Sequence, residues 1–192
     1  VEHSVFASGH MPTDRATSVG PLRIEIVEPL RTVRYVVSEN EHGLTADVTF
    51  RARTEAIEEP RQQIVRNNSM IMDYTRLTQW GTWEGRVTLP SGVTLEFDGT
   101  STLGTRDRSW GIRGVGEPAG GMPSARPPPV YWLWGPCNFA DECTYIAIFD
   151  DAQGTRFYQH PLTAPARTPP ADPHIDPGRH GPGGQPGKAG IH

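Results

Sequence analysis

Leu22, Ile24 and Ile26 alternate with Arg23 and Glu25, the period-two pattern of a strand with one buried face. Pro29 ends that run, and residues 32–37 form a second, β-branched stretch. A polar turn over residues 39–43 then leads into the clearest alternation in the chain. Leu44, Ala46, Val48, Phe50 and Ala52 face one way, while Thr45, Asp47, Thr49 and Arg51 face the other. With its predecessor this strand predicts a hairpin. The periodicity fails over residues 54–68, and Pro60 interrupts it, so a loop or one short helical turn is expected there. Residues 69–79 resume the pattern, with Met70, Met72 and Tyr74 on one side. Runs at 84–89 and 93–97 flank Pro90-Ser91-Gly92, whose backbone preferences predict a second hairpin. Residues 102–112 predict a strand pair, or a strand and a turn.

Residues 114–129 are rich in Gly and Pro and read as a surface loop or linker. Three short strand candidates follow at 130–134, 144–149 and 156–158, with a turn at 150–154 between the last two. No helical stripe exceeds two turns, so the expected class is all-β, of meander or antiparallel barrel type. Composition changes the picture at the end of the chain. From Pro161 to His192, 14 of 32 residues are Pro or Gly, and the segment has no aromatic. Too little apolar surface is available there to offset ordering entropy, so residues 161–192 are expected to be disordered.

Charge and cysteine content mainly exclude. A net charge of −4, with acids and bases interleaved, argues against a nucleic-acid partner. No apolar run reaches the roughly 18–20 residues of a membrane span. Cys137 and Cys143 fit neither a zinc knuckle nor a redox pair, and two cysteines make no disulfide scaffold; this favours a reducing, cytoplasmic setting. The chain starts at Val1 without Met or a signal segment, as an internal fragment would. His3, His10, His42 and His160 show no metal-ligand spacing, and no phosphate or dinucleotide loop is present, so neither metal nor cofactor is expected.

The most distinctive segment is Gly104-Thr105-Arg106-Asp107-Arg108-Ser109-Trp110-Gly111. On a strand, Arg106, Arg108 and Trp110 share one face, and Asp107 and Ser109 the other. Asp107 could serve as a general acid, or as a structural acceptor for a nearby arginine or turn amides. The aromatics form a second constellation: Trp80 and Trp83, then Tyr131, Trp132 and Trp134, with Trp132 and Trp134 on one strand face.

The segment around Asp107, with Val19-Gly20-Pro21-Leu22-Arg23-Ile24-Glu25, Glu28-Pro29-Leu30 and Glu41-His42-Gly43-Leu44, resembles the hydroxyneurosporene synthase (carotenoid hydratase) and AttH-like superfamily, in particular its actinobacterial members. The likeness covers about residues 12–158. It implies tandem lipocalin-like β-barrels: residues 1–113 as an incomplete first barrel, 114–129 as a linker and 130–160 as the opening strands of a second. The hydratase branch carries His where this chain has Arg108, and an arginine cannot shuttle a proton near neutral pH.

Three functional readings follow. In the first, a lumen lined by Phe50, Met72, Trp83, Trp110, Trp132 and Trp134 binds a hydrophobic small molecule, an isoprenoid or fatty chain. In the second, a hydratase or isomerase acts on a terpenoid, carotenoid or polyketide double bond, with Asp107 as the proton donor. In the third, the chain is an inactive piece of a larger two-barrel protein. The alternative for the tryptophans is ordinary core.

Overall fold

The computed structural model describes residues 16–66, 68–112 and 131–167. The protein is all-β, with eleven strands and no helix among the described residues. These are β1 (Ala16–Val19), β2 (Leu22–Glu28), β3 (Thr32–Val37), β4 (Thr45–Ala52), β5 (Ile57–Glu58), β6 (Gln62–Arg66), β7 (Ser69–Thr88), β8 (Thr94–Ile112), β9 (Tyr131–Asn138), β10 (Glu142–Asp150) and β11 (Arg156–Pro165). The first eight form one antiparallel sheet that curls into a half-barrel, the incomplete lipocalin-like barrel expected for this region. The last three form a separate sheet in the order β11-β10-β9.

The alternation in β2, β3 and β4 sets the two faces of the large sheet. Over β2–β4 the inner face is apolar: Val33 pairs with Phe50 and Phe50 with Trp83, and Phe50 is fully buried. The Trp83 ring lies 5.2 Å from Phe50 and 5.5 Å from Tyr35, centroid to centroid. The outer face carries the charges. Arg34 donates to Asp47 at 2.7 and 2.6 Å and to Glu25 at 3.2 Å, and Arg51 donates to Glu84 at 2.7 Å. Gly81 stands opposite Gly104 in the β7–β8 ladder. A Cβ at Gly81 would strike the Phe50 ring, and one at Gly104 would strike Trp83, so the absence of side chains makes room for both aromatics.

Three features depart from the pattern read in the sequence. First, β7 runs unbroken for 20 residues and β8 for 19, where shorter strands were expected. Gly81 and Gly85 lack side chains to show the alternation, and a register shift between Thr82 and Glu84 changes its phase. Second, the aperiodic stretch 54–68 is not simply a loop. β5 and β6 follow β4 along one edge of β7, while β8 pairs with the other edge. Pro60 lies between β5 and β6, where its missing N–H costs no ladder bond. Third, β11 continues to Pro165, beyond the boundary expected at residue 161, and Ala164 is buried. Because β11 is an edge strand, Pro161 and Pro165 are compatible with it. The expected linker at 114–129, Arg113, and the tail from residue 168 lie outside the described residues.

The small sheet buries its inner side against the outer face of β7. Trp80, fully buried, packs with Cys143, Tyr145, Ala147 and Ala164. Arg53 ties the two sheets together: its Nη2 donates to the carbonyls of Phe139 (3.0 Å) and Ala140 (2.7 Å), and its own carbonyl accepts from the Arg167 amide (2.6 Å). Both cysteines are free thiols, Cys137 exposed and Cys143 within this core.

Candidate functional site

Where the small sheet meets β6 and β7 there is a cavity of about 400 Å³. Its aromatic wall comes from the strand pairs of the small sheet. Trp132 of β9 and Phe149 of β10 are register partners, and their rings stack at 6.4 Å with planes 11° apart. Phe149 also faces Tyr158 across the β10–β11 ladder and stacks on Phe157 at 5.9 Å. Asp151 accepts hydrogen bonds from the Gln153 and Thr155 amides, fixing the turn that holds β11 beside β10. Ile64, Met72 and Tyr74 line the opposite wall. Trp132 and Phe157 remain about half exposed, so apolar surface reaches the solvent at this site.

The polar end is built from β5, β6 and β7. Glu59, which is 2% exposed, accepts two hydrogen bonds from Arg76 (3.0 and 2.8 Å) and one from the Thr78 hydroxyl (2.6 Å). Strand pairing sets this geometry, because the Glu59 amide donates to the Arg76 carbonyl at 2.7 Å. The Arg76 guanidinium lies 5.3 Å from the centre of the Trp134 ring. Burial disfavours the charge on Arg76, but bonding to Glu59 outweighs it and raises the guanidinium pKa. Tyr74 donates to Gln62 at 2.8 Å, and Arg61 pairs with Asp73 at 2.5 and 2.7 Å. The hydroxyls of Tyr145 and Tyr158 and the Trp134 indole N–H make no hydrogen bond among the described residues. Burial, reinforced by the Glu59 charge, raises the pKa of both phenols, so they are neutral donors at physiological pH.

The six aromatic and methionine candidates divide between two places. Met72 and Trp132 line the cavity, and Trp134 packs beside it under Arg76. Phe50, Trp83 and Trp110 belong to the inner face of the half-barrel: Phe50 is core, Trp83 is half-buried, and Trp110 is 44% exposed near the end of β8. They share no single lumen with the first three. Asp107 pairs in register with Thr78 and projects from the outer face, exposed, with no hydrogen bond or ion pair among the described residues. It is not part of the cavity lining. Sequence reasoning passed over Glu59, Arg76, Phe149, Phe157 and Tyr158. Phe149 and Phe157 flank the expected 150–154 turn, so reading that turn as a hairpin would have placed their rings together. Glu59 had no such signal, since it precedes Pro60 in the aperiodic stretch.

No group of three or more His, Cys, Asp or Glu side chains among the described residues is arranged to hold a metal ion. No described helix is long and apolar enough to cross a membrane. No curated protein and no solved structure matches the chain. A family match covers residues 1–183, and the chain therefore belongs to DUF8625, a family of unknown function.

Proposed function

We propose that the protein binds an apolar small molecule, an isoprenoid or fatty chain, in the cavity between its two sheets. The observation that carries this reading is the lining itself: about 400 Å³, open to solvent on one side and lined by Ile64, Met72, Trp132, Phe149, Phe157 and Tyr158. Cavities of this size and character suit ligands of drug or lipid-fragment dimensions. Both cations at the site already have carboxylate partners, Arg76 with Glu59 and Arg61 with Asp73. An uncharged ligand fits such a site better than an acid, and the Tyr158 hydroxyl can donate to an oxygen on it. Trp132 supplies a built-in reporter.

The test is titration with a neutral apolar probe such as Nile red, followed by probe fluorescence and tryptophan quenching. Phe157 is 54% exposed, so Phe157→Glu places a carboxylate at the cavity without removing core. The expected result is saturable binding by the native chain and at least about tenfold weaker binding by the Glu variant at unchanged thermal stability. Equal binding by both proteins would place the probe elsewhere and remove the case for this cavity.

A further inference from the structure

The inner face of the half-barrel carries a cation in a different state. Arg106 of β8 is half-buried and lies 5.4 Å from the centre of the Phe50 ring. Two of its N–H groups, on Nε and Nη2, converge on one acceptor, Gln79 Oε1, at 2.9 and 2.6 Å. Gln79 is itself immobilised, donating through Nε2 to the carbonyls of Leu30 (2.8 Å) and Thr54 (2.9 Å). Arg106 forms no ion pair among the described residues. The carboxylates of this half of the sheet, Glu25, Asp47 and Glu84, project from the outer face and hold outer-face arginines. Arg108 shares the inner face two residues along and is exposed. The Tyr35 phenol lies beside the Arg106 guanidinium, whose charge opposes the rise that burial imposes on the phenol pKa.

From this placement we infer a second binding site, on the inner face, for the carboxylate head of an acidic amphiphile, with Arg106 and Tyr35 at the head and the half-buried Trp83, which packs on the core ring of Phe50, along the chain. A guanidinium has five N–H donors; Gln79 takes two and the Tyr35 oxygen engages a third, which leaves two for a carboxylate. A neutral head would leave the half-buried charge uncompensated, whereas a carboxylate compensates it. Arg108 adds attraction across solvent, which salt screens. The apolar partners fit a hydrocarbon tail and do not fit inorganic phosphate, which has none.

The experiment compares laurate with methyl laurate by calorimetric titration at pH 8, using the native chain, Arg106→Gln and Phe157→Glu. Laurate is expected to bind Phe157→Glu within about twofold of the native chain, because that substitution lies at the other site. Methyl laurate should bind Phe157→Glu at least about tenfold more weakly than laurate does, the scale of one charge-assisted pair. Arg106→Gln should lose the preference for the acid by a similar factor. Retained preference in a folded Arg106→Gln, or equal binding of acid and ester to Phe157→Glu, would overturn the site. If Arg106→Gln does not fold, the acid–ester comparison on Phe157→Glu decides alone. Displacement of laurate by an equal concentration of inorganic phosphate would show a bare anion site and overturn the amphiphile.

Discussion

Arg76 and Arg106 lie on adjacent strands of one sheet and face opposite ways. Arg76, on the outer face, is covered by the small sheet and clamped by the buried Glu59. Arg106, on the inner face, has an amide oxygen and two aromatic neighbours but no carboxylate. Burial works against both charges. At Arg76 the carboxylate outweighs burial and the pKa rises; at Arg106 burial prevails and the pKa falls. The cavity on the outer face has therefore closed its electrostatics within the fold and suits a neutral guest. The inner face leaves a positive charge for something outside the fold to balance. Both are arginines drawn wholly or half out of water on one sheet, and the presence of a carboxylate determines whether each is structural or receptive.

The comparison can be broken most forcefully at Trp80, which joins the small sheet to the large one. Trp80→Ala should cost about 3–5 kcal/mol in equilibrium denaturation and separate the unfolding of the small sheet from that of the half-barrel. A single cooperative transition with a loss under about 1 kcal/mol would show that the sheets do not depend on this contact. Next comes the closed pair. Glu59→Gln leaves the Arg76 charge buried and uncompensated, at an expected cost of about 3 kcal/mol. The double change Glu59→Leu with Arg76→Met should recover most of that loss, and denaturation of all three proteins measures the recovery. Arg106→Gln should cost only about 1 kcal/mol, since it removes a cation–π contact and hydrogen bonds but breaks no ion pair. A cost equal to that of Glu59→Gln would erase the proposed difference between the faces.

The smallest effect belongs to the exposed outer-face pair. The hydrogen bond from Arg34 holds the Asp47 pKa below its ordinary value of 3.8. The carboxylate is therefore favoured more in the folded than in the unfolded chain. Its stabilisation is complete above that ordinary value and is lost as pH falls through the lower folded pKa. Asp47→Asn should cost less than about 1 kcal/mol at pH 7, because both partners are solvent-accessible. In urea titrations at a series of pH values, the difference from the native chain should disappear in strong acid. A difference that persists there would have to come from packing and not from charge.

How far the sequence could be read differs between these regions. The β3–β4 hairpin and the burial of Phe50 were legible, because side chains on a strand must alternate and only one face of β4 is apolar. The same rule put Arg106, Arg108 and Trp110 on one side and Asp107 on the other. The continuity of β7 was hidden by glycines, which carry no pattern. β5 and β6 were hidden because strands this short show no period and exist only by pairing with β7.

The sequence by itself determined that the chain is all-β, which residues of β4 and β8 share a face, and where the turns at 39–43 and 150–154 fall. These are local consequences of backbone geometry and of side-chain polarity at a period of two. Tertiary structure alone decided that Glu59 closes on Arg76 while Arg106 stays unpaired. It also decided that Trp132 and Met72 meet across a cavity while Phe50 and Trp83 lie on another face. Each of these depends on which strand lies beside which and which sheet covers which face, and no spacing along the chain encodes that.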